Sequence, residues 1–345
     1  MRTPSGSLPV ILGLAVLVVI GIAAWVIQLT QGMSIIGTGQ AIVWGVYIAT
    51  FFFLAGLAGG LVVLAALADL QVLPGLQLNR RGLLLGAIAS FIAAGFMILM
   101  DIGKPIRVLN MILSPNLSSP FVWDFASLAV GVVLAALMVV VGSKVKWLSV
   151  VAAIIAGLVV VVEGWILSMS AGGPLWHGGM TPAVFLTEGL IAASAITLIA
   201  QNDVQVNAWL RRALLVLLPV LALFNLFEIA SVLYAGHPEA QDATVLFLND
   251  PLYWGQLALG IVVPFVLLAW MGKNRMAIIT AAVLAILGVF VAKYVVLIAG
   301  QALAFMQGKA AYTPTLVEIG GVVGIIGLAG LLFVLGQRFA TPKAS

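Results

Sequence analysis

The sequence predicts an all-α integral membrane protein of about ten transmembrane helices. Three observations lead there. Of 345 residues, 63% are hydrophobic and only 8% are charged, whereas soluble domains carry about 25% charged residues. Ten stretches reach the roughly 20 apolar residues that cross a bilayer. The basic residues gather in alternate connections, the pattern that sets topology. No long polar segment is left over, so residues 1–345 read as a single membrane domain in the lipid bilayer. The net charge of +4 sits in pairs at helix ends and does not indicate a nucleic-acid partner. Cysteine is absent, which excludes disulfides, a thiolate nucleophile and a cysteine-held iron–sulfur cluster in this chain.

The first span, 8–28, is an extra N-terminal helix. Its apolar run exceeds a signal-peptide core of about 7–15 residues and no A-x-A site follows, so it reads as retained. The next four spans, 41–69, 83–101, 121–142 and 147–169, form a first unit over 41–169. The spans 182–200, 211–234, 251–271 and 276–300 form a second unit over 182–300. The last, 316–337, is an extra C-terminal helix. Pro, Gly, Asn and Ser fill the gaps. The two units look like copies. "SPFVWDFASLAVGVVL" (119–134) matches "DPLYWGQLALGIVVPF" (250–265), each with Pro leading and Trp three residues on. "NRRGLLLG" and "LRRALLVL" precede the third and seventh helices, and "VGSKVK" and "MGKNR" follow the fourth and eighth. Helices 2–5 and 6–9 therefore read as two parallel four-helix repeats, flanked by helices 1 and 10.

With the N-terminus inside, alternate connections collect Arg2, Arg80, Arg81, Lys144, Lys146, Arg211, Arg212, Lys273, Arg275, Arg338 and Lys343 in the cytoplasm. Only Lys104, Arg107 and Lys309 fall outside. Both termini are thus expected to be cytoplasmic, in the inner cell membrane. Lys104 and Arg107 run against the rule, which points to a purpose other than topology.

A charge in the hydrocarbon region costs about 2.5–3.5 kcal/mol on insertion scales. Asp101, Asp124, Glu163, Glu188, Glu228, Lys293 and Glu318 nevertheless lie in or near spans, all toward the outer half. Snorkelling competes as an explanation for Asp101, Asp124 and Glu318, which are close to helix ends. For the deeper Glu163, Glu188 and Lys293 a functional role is the default. Glu163 and Lys293 occupy matching slots in the two units and are expected to pair across the bundle. Asp69, at an inner end, is expected to be solvated. A transporter needs a site near the midplane with access from both sides. Here a titratable outer half faces an apolar inner half, as proton exchange with the outside requires.

The only histidines, His177 and His237, lie in outer connections, so a bis-histidine haem within the bundle is not expected. His177 is either a loop histidine bonded to backbone or a proton donor near the outer face. Trp44, Tyr47, Trp123, Trp176 and Trp254 fit an interfacial aromatic belt, or walls for a flat apolar ligand. Gly56, Gly59 and Gly60 fit close helix packing.

Three segments carry a resemblance: "WGVYIATFFFLAGLAGG" (44–60), "MDIGKPIRVLNMILSPNLSSPFVWD" (100–124) and "GGPLWHGGMTPAVFL" (172–186). The chain resembles the NrfD family, which includes the membrane subunit of polysulfide reductase. The resemblance implies a haem-free subunit of a respiratory oxidoreductase complex that reacts with quinone, menaquinone or ubiquinone, near the outer face. It implies an extracytoplasmic ferredoxin-like iron–sulfur partner and a molybdopterin or multihaem cytochrome catalytic subunit, which would act on the terminal substrate. It carries a quinone-binding role onto Trp44, Tyr47, Asp101, Lys104, Arg107, Trp123, Asp124 and His177. Glu163, Glu188, Glu228, Lys293 and Glu318 are the expected proton path, and no metal site is expected. The competing expectation is a secondary transporter or proton-coupled carrier. Repeats and intramembrane charges suit both. The uneven depth of the charges and the 100–124 signature favour the first.

Overall fold

A computed structural model describes residues 8–39, 42–72, 78–170, 176, 179–235, 238–304 and 312–340. Among these residues all regular structure is helical, and ten helices are long and apolar enough to cross a membrane. The spanning helices are α1 (Leu8–Gln31), α2 (Val46–Asp69), α3 (Arg80–Asp101), α5 (Pro120–Val141), α6 (Lys146–Met169), α7 (Thr181–Ala200), α8 (Val204–Ala235), the run α10 (Pro251–Leu257) to α11 (Val263–Trp270), α12 (Arg275–Ala304) and α13 (Leu316–Ala340). A π turn at Ala258–Val262 joins α10 to α11. Two short helices lie in connections, α4 (Asn110–Leu113) and α9 (Pro238–Leu248). A 24-residue helix is about 36 Å long, enough for a hydrocarbon core of about 30 Å.

The most buried helix is α2, which packs on α3, α6 and α7. The adjacency runs the same way in both sets of four. In the first, α2 meets α3 and α6, while α5 meets α3 and α6. In the second, α7 meets α8 and α12, while α11 meets α8 and α12. The sets join through α2 against α7, with Gly56 and Gly60 facing Gly189 so closely that a side chain on Gly189 would strike the Gly56 carbonyl. Small residues let helix backbones approach in this way where lipid provides no hydrophobic drive. The added helices α1 and α13 pack on each other, and α13 also covers α3.

The two ends of the bundle differ in chemistry. At the arginine end, Asp69 is 3% exposed rather than solvated. Arg80 binds its carboxylate, and Ser149 donates to its Oδ2 at 2.7 Å. Arg80 also donates to the Met138 carbonyl at 2.6 Å. Asp69 sits on the last turn of the central helix, where α3 and α6 cover it, so a buried partner replaces water. The opposite end, the carboxylate end, carries the connections 102–119 and 238–250 and the described candidate site residues. Gly103, with φ 69°, turns the chain out of α3 and into a 3₁₀ segment at Pro105–Leu109. That turn is why the motif reads Asp-x-Gly-Lys-Pro.

Candidate functional site

An aromatic wall stands at the carboxylate end. Trp44 precedes α2, and its ring stacks on Trp176 with centroids 5.5 Å apart and planes at 19°. Phe121, in the first turn of α5, meets Trp44 edge-on at 6.2 Å. The Trp176 indole N–H donates to the Val296 carbonyl of α12 at 2.9 Å. The Gln301 amide oxygen accepts from the backbone N–H groups of Val43 and Trp44 at 2.8 and 2.9 Å, and its amide nitrogen donates to the Trp44 carbonyl at 2.8 Å.

A row of buried ionisable groups begins beside the wall. Asp124 lies one helical turn after Phe121, on the same face of α5. It is 3% exposed, and its Oδ1 has no hydrogen-bond partner among the described residues. Glu163 on α6 interacts with Asp124 through charge, and neither of its carboxylate oxygens has such a partner. Lys293 on α12 is the next charge that Glu163 meets. Its ammonium lies 2.6 Å from Glu188 Oε2 and 2.8 Å from the centroid of the Phe185 ring. The first contact is a close ion pair rather than an aligned hydrogen bond, and the second is a cation–π contact. Lys293 thus pairs with Glu188 and not with Glu163 as expected, because α12 packs along α7. Glu228 on α8 feels the charge of Glu188 and accepts from the Thr181 hydroxyl at 2.8 Å. The row therefore crosses from α5 and α6 to α12, α7 and α8. At its far end, Glu188, Glu228, Lys293, Asn225, Thr244 and Gln256 converge on a cavity of about 70 Å³. A few water molecules fit in such a volume, and these groups are the polar partners they need.

A second network latches α13 to the segment before α2. Glu318 is 0% exposed. It accepts from the N–H of Gly37 at 2.8 Å, the N–H of Thr315 at 2.9 Å and the Tyr312 hydroxyl at 2.7 Å. The Glu318 N–H donates to Thr315 Oγ1 at 3.3 Å, which completes a reciprocal capping box. The Tyr312 hydroxyl in turn accepts from Val46 N–H at 2.8 Å. Burial holds that hydroxyl above the usual tyrosine range, the Val46 bond works against it, and the Glu318 carboxylate adds to it. Beside this latch the Tyr47 hydroxyl donates to Gln28 at 3.1 Å, and Gln28 donates to the Met100 carbonyl at 2.7 Å. Asp101, half-buried at the end of α3, shares charge interactions with Tyr47 and Glu318.

The expected quinone residues thus fall into three places. Trp44 and Asp124 mark the wall and the head of the row. Tyr47 and Asp101 belong with the latch. Lys104 and Arg107 are exposed on the 3₁₀ segment, and Trp123 is 52% exposed, its indole donating to the Leu117 carbonyl at 2.9 Å. His177 lies outside the described residues, as do His237 and Lys309. Of the expected proton path, Glu163, Glu188, Glu228 and Lys293 form the row, while Glu318 sits in the latch. Among the described residues no group of three His, Asp or Glu is placed to hold a metal ion. Sequence reading missed Gln28, Thr181, Gln301 and Tyr312. A glutamine within an apolar span is a signal of its own, and Thr315-x-x-Glu318 before an apolar run is a helix-start signature.

Residues 34–304 match the family described as polysulphide reductase, NrfD. The chain is 30% identical, over 96% of its length and 92% of the relative, to a putative dimethyl sulfoxide reductase membrane subunit of Halobacterium salinarum. It is 24% identical to an Hdr-like menaquinol oxidoreductase integral membrane subunit of Archaeoglobus fulgidus, over 94% and 91% of the two chains. It is 21% identical to a selenate reductase subunit of Mesobacillus selenatarsenatis, over 93% and 91%. With most of its length inside the family's bounds, the chain belongs to the polysulphide reductase, NrfD, family.

Proposed function

We propose that the chain is the quinone-reactive membrane subunit of an oxidoreductase complex. The relatives above are named as subunits of reductases or an oxidoreductase, two of them as membrane subunits and one for menaquinol. The observation that carries the reading is the buried carboxylate row that starts at the aromatic wall. Quinol oxidation yields two electrons and two protons, so a site for it needs a flat apolar seat, a proton acceptor and a nearby redox partner. Trp44, Trp176 and Phe121 suit the seat. Asp124 suits the acceptor, since it offers a buried carboxylate oxygen without a hydrogen-bond partner among the described residues. Glu163, the Lys293–Glu188 pair and Glu228 then hand protons to the water cavity, and the carboxylate end faces the outside. The electrons pass to an iron–sulfur partner docked at the same end, and the terminal substrate is handled by a further subunit.

The test is quinol turnover by the purified complex. Asp124→Asn should lower it by about 100-fold or more, the ordinary share of a general base, with assembly intact. Asp101→Asn should lower it less than about tenfold. Full turnover in Asp124→Asn removes Asp124 from the reaction, and loss in Asp101→Asn alone moves the acceptor there. The exposed Lys104 and Arg107 are the docking cations in this reading. Reversing both to Glu should release the partner during purification in high salt, and an intact complex would refute the docking role.

A further inference from the structure

We propose that the C-terminal turns of α12 at the carboxylate end, from Val296 on, are a cradle that sets the Trp44–Trp176 pair, with Gln301 and Gly300 as positioning residues. The proposal rests on the quinone reading above and gives the wall's geometry a cause. Gln301 is 3% exposed at the end of a long apolar helix, where a polar amide is costly unless it is satisfied. Its oxygen takes the N–H groups of Val43 and Trp44, and its nitrogen gives to the carbonyls of Trp44 and, at 3.1 Å, of its own helix at Leu297. Those four bonds use the whole capacity of a glutamine amide. Three of them go to the backbone that bears Trp44, so the amide fixes where that residue starts and how it is turned.

The same stretch of helix holds the second tryptophan. Val296 accepts the Trp176 indole N–H, which fixes the direction of that ring. Residue 300 is glycine, and a Cβ there would strike the Trp176 indole ring. Glycine is a poor helix former, and its presence opens the space the ring occupies. Two tryptophans from different connections are therefore brought into stacked contact by the C-terminal stretch of a third element. Lys293 lies two turns down the same helix, so α12 also sets the spacing between the wall and the row.

A wall set in this way acts on how well a flat ring is seated, and so on KM more than on kcat. In the purified complex, Gln301→Leu should raise KM for a soluble quinol by about five- to tenfold, the range of an aromatic contact, with kcat within about twofold. Gly300→Ala tests the Trp176 side and should move KM in the same direction. In a Trp44→Ala background, Gln301→Leu should add nothing further, because its effect runs through that ring. An unchanged KM in both variants, or an undiminished effect of Gln301→Leu without Trp44, overturns the cradle. A loss of kcat with KM constant overturns it too. Wild-type complex that neither binds nor oxidises quinol overturns the quinone reading itself, which keeps the two failures apart.

Discussion

At the scale of single residues, the Lys293–Glu188 pair decides how the row behaves. Two buried charges 2.6 Å apart need each other, since removing one leaves the other uncompensated at a cost of about 3–5 kcal/mol. Lys293→Met should therefore destabilise the protein by about that amount, measured as thermal unfolding in detergent. Adding Glu188→Leu should restore most of the loss, and a double variant as unstable as the single one would contradict the pairing. Position along its helix was legible in the sequence for every member of this row, because it follows from counting residues from a helix end. The partner of Lys293 was not. Matching slots in two repeats suggested Glu163, but which side chains meet depends on which helices touch, and α12 runs along α7. Glu318 shows the same gap differently. Expected on the proton path, it is hydrogen-bonded to Gly37, Tyr312 and Thr315 in the latch; its capping box with Thr315 was open to reading from their spacing, while the bonds to Gly37 and Tyr312 depend on the fold.

Among the elements, the arginine end is stitched by matching contacts. Arg80 at the start of α3 donates to the Met138 carbonyl near the end of α5, and Arg211 on α8 donates to the Leu268 carbonyl near the end of α11 at 2.7 Å. Arg275 at the start of α12 donates to the carbonyls of Leu198, Ile199 and Gln201 at the end of α7, at 3.0, 2.9 and 3.1 Å. Cations at helix C-termini satisfy free carbonyls and complement the dipole. At the other end, Trp254 donates to Leu248 at 2.6 Å as Trp123 does to Leu117. We read these correspondences, with the shared adjacency, as the mark of a repeated four-helix unit. The spans themselves were legible because roughly 20 apolar residues admit little else. The helices α4 and α9 were not, because their segments carry Pro, Asn, Asp and Gln that read as loops. Asp69→Ala should leave Arg80 without its carboxylate and cost about 3–5 kcal/mol in thermal unfolding. Ser149→Ala should cost about 1 kcal/mol. Equal costs would show that the cluster does not centre on the ion pair.

On the scale of the whole molecule, one end is basic and stitched while the other is acidic and aromatic. A carrier would need the row to reach both faces, yet among the described residues no buried ionisable side chain stands between the row and the Asp69–Arg80 cluster at the arginine end. A larger cavity, about 470 Å³ between α2, α3, α7, α12 and α13, lies toward the arginine end and is lined mainly by apolar side chains, with Asn79, Ser90, Thr197 and Gln201 the polar ones. The central claim is therefore that the carboxylate end serves quinone and not a transported solute. The most direct measurement is solvent extraction of quinone from the complex purified with its partner subunits, alongside the same complex carrying Trp44→Ala with Asp124→Asn. The expected result is quinone in amounts comparable to the chain in the wild type and its loss in the variant, with both complexes assembled. Assembled wild-type complex that yields no quinone, or a variant that retains it in full, would contradict the account.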